Sequence, residues 1–299
     1  NLIILPKATW LRRIIKVEKP EHIHVHWGST SSSAVLFATN SIPIKWSITC
    51  HRWDIYDNNM LSEKSKSSNF IRFISDKGRK DAIKRGVIPE KSFTIPMGTE
   101  VPISPKFPIW NKSQNIFTVM CPANLIPVKG HKFLLEAIYS LISRSFNIKL
   151  LLAGDGILKK ELHKFVIEKG IDRNVIFLGQ LEHNTLLNYY ENRIVHLVIL
   201  PSIDLGNGEH EGIPVALMEA MSYGIPVLST NTGSINELLP INIGLTIPDK
   251  NSSAIENMID FFYNNTEEYC RYSKICRRII EENWNVKKSA IKLLYLFES

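Results

Sequence analysis

The sequence predicts an α/β protein built from two doubly wound parallel sheets. Its 299 residues correspond to about two domains at roughly 150 residues each. From about residue 114 onwards, short apolar segments of strand length alternate with amphipathic helices. These strands are apolar throughout instead of alternating between apolar and polar residues. That pattern is typical of strands buried on both faces by helical connections.

The second half of the chain carries the clearer pattern. We predict strands over residues 116–121, 148–153, 175–178, 195–200, 226–229 and 245–247. We predict helices over residues 130–144, 157–169, 183–191, 214–222, 234–239, 252–264 and 267–282. Strands and helices in this alternation indicate a parallel sheet.

The first half repeats this rhythm less completely. Its predicted strands cover residues 22–27, 44–49, 70–75 and 93–96, and its predicted helices cover residues 9–17, 29–40 and 76–86. Prolines at three-residue intervals over residues 101–110 predict an extended interdomain linker. A last helix, over residues 286–297, has one apolar face that needs a partner.

We therefore expect three parts. A Rossmann-like N-terminal domain covers residues 1–107, and a second Rossmann-like domain covers residues 108–283. The helical segment 284–299 packs back on the N-terminal domain. The chain starts at Asn1 in the middle of an apolar pattern, so we expect upstream residues to be missing and see no signal peptide.

Composition narrows the function classes. The net charge is +7, which favours binding to phosphate-bearing partners or to a membrane surface. Aromatic and basic residues are not interleaved as nucleic-acid binding requires, so we expect no nucleic-acid partner. No apolar run approaches the roughly 18 residues of a membrane span. The four cysteines contain no CxxC pair and predict free thiols in a reducing cytosol.

The most informative segment is EGIPVALME, residues 211–219. Pro214 suits the first position of a helix whose free N–H groups and dipole favour a phosphate. The helix is apolar nearly all round except at Glu219, whose buried carboxylate needs hydrogen-bond donors such as ribose hydroxyls. Glu211 lies in the loop at the helix mouth, where it can meet a second hydroxylated group. Alternatively, Glu219 caps a neighbouring loop and Glu211 is solvated.

This segment resembles the signature of retaining glycosyltransferases of family 4, within the glycosyl transferases group 1. Further segments are similar to that family in the same order along the chain: IPMGTE at 95–100, NLIPVKGH at 124–131, LAGDG at 152–156, VIFLG at 175–179 and GSINE at 233–237. The resemblance implies the GT-B fold, in which two Rossmann-like domains face each other across a cleft. The N-terminal domain here would lack its first strand and glycine-rich loop.

The resemblance also implies a role for each matching residue. Glu211 would hold hydroxyls of the donor sugar, and Glu219 would bind the nucleotide ribose. Lys129 would neutralise the diphosphate and help it leave. Asn124 stands where the family often has arginine, so we assign it a weaker phosphate contact. The remaining donor-binding positions are backbone groups near the sugar and diphosphate and two residues placed to contact the base: Gly212, Ile213, Pro214, Val215, Gly179 and Gln180.

Histidines of the first half raise two further questions. His24 and His26 alternate along a strand and share one face, which is compatible with a metal pair, but no third ligand follows. His51 matches the family's histidine at the boundary between acceptor and donor. It would hydrogen-bond the donor sugar or orient the acceptor hydroxyl; the alternative is a structural histidine at a strand end. We assign no role to His183.

The resemblance predicts the reaction in outline. A sugar moves from a nucleotide-sugar to an acceptor hydroxyl with retention, and the catalytic residues are His51, Lys129 and Glu211. We expect no metal and no cofactor beyond the nucleotide-sugar donor. The residues of segment 126–131 resemble those of enzymes of polysaccharide or lipopolysaccharide biosynthesis, which act on lipid-linked or surface glycans. Such an enzyme would be cytoplasmic, at the inner face of the membrane.

Alternatives remain at this point. The helix over residues 9–17 is basic and amphipathic, which permits a peripheral contact with an anionic membrane. The pattern is also typical of a helix that covers a sheet and turns a charged face to solvent, and this second interpretation is the favoured one. For the whole chain, the main alternative is a truncated, non-catalytic nucleotide-sugar-binding or scaffolding protein. An epimerase or a phosphorylase on the same fold would need a different glutamate context or much more chain.

Overall fold

The chain forms two compact units. The computed structural model describes residues 3–57, 59–112, 116–206 and 209–298. Unit 1 comprises Asn1–Met97 and Lys287–Ser299, and unit 2 comprises Gly98–Val286. The C-terminal helical residues are thus grouped with the N-terminal part of the chain.

Unit 1 holds the first part of the α/β pattern. Its elements in chain order are α1 (Ile4–Glu18), β1 (His22–His26), α2 (Thr30–Thr39), β2 (Lys45–Cys50), α3 (Arg52–Tyr56), α4 (Leu61–Ser67), β3 (Phe70–Phe73), α5 (Asp76–Lys84) and β4 (Ser92–Thr94). The strands form a parallel sheet of order β1-β2-β3-β4. The short helices α3 and α4 were not predicted, because one or two turns are too short to show a helical period.

Unit 2 holds the larger sheet. Its elements are β5 (Phe117–Pro122), α6 (His131–Ser143), β6 (Ile148–Ala153), α7 (Lys159–Glu168), β7 (Val175–Gly179), α8 (His183–Glu191), β8 (Leu197–Leu200), α9 (Val215–Ser222), β9 (Val227–Thr230), α10 (Ile235–Leu238), β10 (Thr246–Ile247), α11 (Ser252–Asn264) and α12 (Thr266–Asn283). The last helix is α13 (Val286–Glu298). The prediction of parallel α/β sheets in both halves is confirmed.

The strand order of unit 2 reverses at β5. The order is β10-β9-β8-β5-β6-β7, with parallel pairing on both sides of β5. Ligands of such sheets bind outside the carboxyl ends of the strands, where the order reverses. The loops that follow β5 and β8 therefore lie beside each other at the position where a ligand is expected.

Unit 2 is built on strands that are buried on both faces. All four residues of β8 are buried, and neighbouring side chains such as Leu150 and Leu228 are fully inaccessible. Each such side chain contributes about 1.5–3 kcal/mol relative to an exposed one. This burial explains why the strands read as continuous apolar segments in the sequence.

Residues 98–110 pack on unit 2 instead of linking two domains. Thr99 exchanges backbone hydrogen bonds with Trp284 and Val286, at 2.9 and 3.1 Å. The Arg277 guanidinium donates to the Pro102 carbonyl at 2.7 Å, and Trp110 is fully buried. The predicted division at residue 107 therefore differs from the observed one after Met97, because these backbone and side-chain contacts bind the segment to unit 2.

α13 packs on the sheet of unit 1. The Phe297 ring lies 5.0 Å from His22, 5.1 Å from His24 and 5.6 Å from Phe70, measured between ring centroids. The predicted apolar face of this helix thus finds part of its partner on a sheet, while Leu294 stays 55% exposed. Among the helices of the described ranges, none combines the length and apolarity needed to cross a membrane.

His196 shows how burial fixes a protonation state in unit 2. Its ring lies 5.1 Å from Trp110 and stacks 5.4 Å from Phe117, and its Nδ1 accepts the Thr118 N–H at 3.0 Å. Burial lowers the pKa of His196 to about 4. The neutral ring is therefore the form that the core holds, and protonation would remove the acceptor.

We expect His196 to make the protein less stable as pH falls. The unfolded chain takes up the proton near the ordinary pKa of 6.5 and the folded chain only near about 4, so stability is lost as pH falls through this window. The slope from this group is up to about 1.4 kcal/mol per pH unit. His196→Asn keeps an acceptor for Thr118 and should reduce the slope, measured by urea unfolding between about pH 7 and pH 5. Equal slopes would contradict the assignment.

Candidate functional site

Three loops meet at the carboxyl edge of the unit 2 sheet, and glycines allow them to approach. A Cβ on Gly130 would lie 2.0 Å from the Pro201 carbonyl oxygen, and one on Gly233 would lie 1.9 Å from that of Glu211. Both glycines have positive φ, at 65° and 58°. Any side chain at either position would separate the loops, so these glycines set the geometry of the site.

Lys129 and Glu211 form an ion pair between two of these loops. The Lys129 Nζ contacts the Glu211 Oε2, and the two side chains are 20% and 14% exposed. The Ser202 hydroxyl donates to the same oxygen at 3.0 Å, and the Gly212 N–H donates to Oε1 at 3.2 Å. The carboxylate thus accepts from a cation, a hydroxyl and an amide.

These partners decide the charge state of Glu211. Burial by itself raises the pKa of this carboxyl, but the Lys129 ammonium and the Ser202 and Gly212 hydrogen bonds outweigh it. The net result is a pKa below the ordinary value of 4.5. Glu211 is therefore ionised at neutral pH, and the pair places opposite charges at the loop that leads into α9.

Lys129 is positioned by a short turn between β5 and α6. It ends the 3₁₀ turn Pro127–Lys129, and Gly130 then reverses the backbone into α6. The buried Leu125 anchors the start of this loop, and its N–H donates to the Asp155 carbonyl at 2.9 Å. Asn124, beside it, is exposed. Lys129 thus lies on a well-anchored loop.

Glu219 has a different partner. It lies on the second turn of α9, which begins at Val215 with Pro214 as its N-cap, one residue later than predicted. The Glu219 Oε1 is 2.8 Å from the Nε2 of His183, the first residue of α8. The Glu219 side chain is 13% exposed, whereas His183 is 63% exposed. The exposed imidazole of His183 therefore occupies the hydrogen-bonding position that the Glu219 carboxylate offers.

His183 was assigned no role from the sequence. It lies four residues after Gly179, at the start of the helix that follows the predicted base-contacting pair. That position is the signal that could have identified it, because a helix beginning there must lie at the same edge of the sheet as α9. Ser202 was likewise assigned no role from the sequence.

The remaining positions that are predicted to bind the donor lie at the same edge. Gly179 has φ 69°, and a Cβ added to it would meet nothing within 4 Å, so the space above it is open. Gln180, which follows, is exposed. Gly212 also faces open space, and Ile213 is partly buried. With Pro214 and Val215 they form the approach to the first turn of α9.

His51 lies in unit 1, at the N-cap of α3. Its N–H donates to the Asp54 Oδ2 at 2.8 Å, and its ring accepts the Asp54 backbone N–H. Burial lowers the pKa of His51, with Asp54 acting in the opposite direction and His26 and Arg72 adding to the decrease. The ring is therefore neutral at pH 7. One nitrogen is an acceptor for α3, which leaves the other as an N–H donor.

Hydrogen bonds hold the ring of His24 in the His24 and His26 pair. The two rings lie on one face of β1, 5.2 Å apart. The ring nitrogens of His24 contact the hydroxyls of Ser47 at 2.8 Å and Thr49 at 2.9 Å. Within the described ranges, no group of three or more His, Cys, Asp and Glu side chains is arranged to hold a metal ion.

Two α/β units with parallel sheets are the architecture of the GT-B class of glycosyltransferases. The model of the family described as "Glycosyl transferases group 1" matches residues 103–279, which is more than half of the chain. The chain belongs to this family.

Known proteins extend this assignment. The putative colanic acid biosynthesis glycosyltransferase WcaL of Escherichia coli is 28% identical over 169 residues, covering 56% of this chain and 41% of that protein. A glycosyltransferase structure from Rickettsia africae superposes with a TM-score of 0.81 at 17% identity, covering 99% of this chain and 81% of the other. HepE of Anabaena in complex with UDP gives 0.78 at 16% identity, covering 97% and 81%.

The coverage of the sequence relatives is incomplete. The chain spans about half or less of the length of the first curated relatives that it matches, at 43%, 47% and 33%. The structural likenesses, at under 20% identity, show the fold. The family and the GT-B fold are thus established by a match to the second unit and by a likeness that extends over nearly the whole chain.

We expect Lys129→Met to destabilise the protein at neutral pH by about 1–3 kcal/mol, because a mostly buried carboxylate loses its cation. In the wild type, the lowered pKa of Glu211 gives stability that is lost as pH falls below 4.5. In Lys129→Met, burial would raise that pKa, so acidification should recover stability. Urea unfolding at about pH 7, pH 4.5 and pH 3.5 measures both signs, since the wild-type loss lies below pH 4.5.

The double variant Lys129→Met/Glu211→Gln is the matched control for this experiment. It removes the carboxylate charge together with the ammonium, so its stability at neutral pH should exceed that of Lys129→Met alone. A Lys129→Met protein as stable as the wild type at neutral pH would show that the ion pair is not needed to hold the two loops.

Proposed function

We propose that the protein is a retaining glycosyltransferase that moves a sugar from a nucleotide-sugar to a hydroxyl of a lipid-linked or surface glycan. The observation that carries the proposal is the Lys129–Glu211 pair at the loop that leads into α9. It offers a cation for a diphosphate and a carboxylate for sugar hydroxyls, beside the free N–H groups of a helix N-terminus.

Donor binding would rearrange this pair. A diphosphate at the N-terminus of α9 competes for Lys129 because it carries more negative charge than one carboxylate. Glu211 then loses its cation and can accept hydrogen bonds from the donor sugar, while Ser202 and Gly212 keep it oriented. Gly212, Ile213, Pro214 and Val215 supply the backbone around the sugar and diphosphate, with Asn124 at the margin.

The nucleoside would lie toward Glu219. A ribose diol can donate two hydrogen bonds to the Glu219 carboxylate in place of the His183 contact. The base would then lie against Gly179 and Gln180, where the space above Gly179 is open. HepE was solved with UDP, which supports a nucleoside diphosphate as the ligand class without choosing the base.

The reaction follows from these placements. The bond between the sugar C1 and the diphosphate oxygen breaks, and a bond from C1 to the acceptor oxygen forms on the same face of the sugar. The acceptor proton passes to the leaving diphosphate oxygen, whose charge Lys129 and the helix N-terminus stabilise. His51 donates its N–H to the donor sugar or holds the acceptor hydroxyl. We assign no metal and no further cofactor.

We expect one nucleoside diphosphate to stabilise the protein through Glu219. In thermal unfolding with UDP, GDP and ADP, the melting temperature should increase with one of the three nucleotides. At 100 times its dissociation constant, that nucleotide adds about 2.7 kcal/mol of stability. Glu219→Ala should abolish the increase because the ribose loses its acceptor. His183→Ala is the matched control, since it removes only the competing partner and should retain the response.

The outcomes separate the candidate functions. No increase with any nucleotide would contradict the donor site. An increase without sugar transfer to any glycan acceptor would favour the non-catalytic nucleotide-sugar-binding protein. Hydrolysis or transfer of the sugar from the same nucleotide, lost in Lys129→Met, would support the enzyme.

The acceptor class brings α1 into the proposal. Ala8 and Ile15 of α1 are buried, and the Arg12 guanidinium donates to the carbonyls of Phe37 and Ala38 at 3.0 Å, so one face of the helix covers α2. Its outer face carries Trp10 and Val17, which are 65% and 76% exposed. The exposed basic residues around them are Lys7, Arg13 and Lys16.

A helix with this outer face suits an anionic lipid surface. Apolar side chains enter the interface, and each nearby basic residue adds about 1 kcal/mol of electrostatic attraction. We therefore propose a peripheral membrane contact through α1, at the cytoplasmic face where a lipid-linked acceptor would be found. WcaL is described as a putative colanic acid biosynthesis glycosyltransferase, which supports a glycan as the product class.

We expect Trp10→Ser to weaken binding to phosphatidylglycerol vesicles several-fold, because the largest interfacial side chain is lost. Vesicle co-sedimentation of the wild type should also fall with added salt, since the basic residues are screened. Ile291→Ser is the matched control, as Ile291 is a 56% exposed apolar residue of α13. Equal binding to phosphatidylcholine vesicles, or no effect of Trp10→Ser, would contradict the contact.

A further inference from the structure

Trp27 has an unusual backbone conformation at the carboxyl end of β1. Its φ is 76°, in the left-handed region that bulky residues rarely adopt. Its N–H donates to the Thr49 carbonyl at 3.0 Å, which fixes it against the end of β2. Conformations of this kind cost about 1–3 kcal/mol and persist where the surrounding structure determines them.

The turn after Trp27 is held by buried groups. The fully buried Lys64 donates from Nζ to the carbonyl of Gly28 at 2.7 Å and to that of Ser29 at 3.2 Å. A Cβ on Gly28 would lie 2.9 Å from the Asp54 Cβ and 3.2 Å from the Cys50 Sγ. Because a buried lysine and a close-packed glycine both fix this turn, the position of Trp27 is imposed by its surroundings.

The Trp27 side chain is packed on one side and open on the other. Its ring stacks on His51 with centroids 4.2 Å apart and an interplanar angle of 26°. The residue is nevertheless 48% exposed. His51 is itself held by Asp54 at the start of α3. A large aromatic surface is thus presented to solvent by a support that cannot easily move.

A second tryptophan lies close along the chain. Trp53 is in the first turn of α3, two residues after His51, and is 52% exposed. The Arg52 guanidinium lies over its ring at 3.9 Å. The carboxyl edge of the unit 1 sheet therefore presents two half-exposed indoles next to an imidazole that has one N–H donor.

We propose that Trp27, supported by His51, is the platform on which a sugar ring of the acceptor stacks. The C–H groups on one face of a pyranose are apolar and carry partial positive charge, so they pack on the electron-rich face of an indole. The ring hydroxyls then point sideways, where the His51 N–H can donate to one of them. This inference rests on the proposed glycosyl transfer and adds the residue that selects its acceptor.

A sugar fits this surface better than a nucleobase for two reasons. The residues assigned to the nucleotide, Lys129, Glu211 and Glu219, all belong to unit 2, whereas Trp27 and its supports belong to unit 1. The Trp27 ring stacks on His51, whereas the candidate diphosphate-binding residues of unit 2 form an ion pair. A nucleotide at Trp27 is kept as an outcome of the test.

The test follows the indole N–H resonance of Trp27 in ¹⁵N–¹H spectra of the full chain, assigned by its loss in Trp27→Phe. The probes are the methyl α-glycosides of glucose, mannose, galactose and N-acetylglucosamine, and separately UDP, GDP and ADP. We expect at least one glycoside to shift the Trp27 signal and to leave that of Trp10, an exposed indole of α1, unchanged.

Trp27→Gly separates binding from structure, because glycine adopts positive φ without strain. We expect the Trp27→Gly protein to lose glycoside-induced shifts at all remaining signals, that of the Trp53 indole included. Its melting temperature should stay equal to that of the wild type or rise. The Glu219-dependent nucleotide response should remain. A lower melting temperature would indicate that Trp27 is a structural residue and would overturn the proposal.

The other outcomes are equally decisive. The proposal for Trp27 is overturned if only nucleotides shift its signal, or if no glycoside shifts it. A glycoside response without any nucleotide response keeps the platform and rejects the donor site, so the failures of the two proposals are distinguishable.

Discussion

The reversal of strand order at β5 is the constraint on which the site depends. It places the loops after β5 and β8 side by side, and Gly130 lets them approach until only a hydrogen atom fits between Cα and the Pro201 carbonyl. Lys129 comes from one loop and Glu211 from the other. Their ion pair is therefore a product of topology, since neither loop holds both charges.

Much of this architecture could be predicted from the sequence. Buried parallel strands read as apolar segments, so the strands of unit 2 were located within a few residues. The role of residues 98–110 could not be predicted, because proline spacing gives an extended chain but not the surface on which it packs. Contacts such as Arg277 with Pro102 join residues far apart in sequence. The same limit explains why Lys129 and Glu211 were chosen separately, and why His183 was overlooked beside Glu219.

The alternating histidines of β1 suggested a metal pair from the sequence, but in the structure His24 is hydrogen-bonded to hydroxyl groups. Alternation along β1 correctly places His24 and His26 on one face. The facing residues on β2 are Ser47 and Thr49, whose hydroxyls contact both nitrogens of His24. Burial lowers the pKa of His24 to about 4, so the ring stays neutral in this hydroxyl row. Sequence alone could not show this, because the pairing register of β1 and β2 decides which side chains meet.

The packing of residues 98–110 on unit 2 has a practical consequence for recombinant work. Trp110 fills the core and donates to the Tyr263 carbonyl at 2.9 Å, and Phe107 packs against Gly224. A fragment of unit 2 cut at residue 108 would lose the Pro102 carbonyl and leave the buried Arg277 guanidinium without one of its acceptors. Expression of the second unit should therefore begin before Gly98, so that residues 98–110 stay with the unit on which they pack.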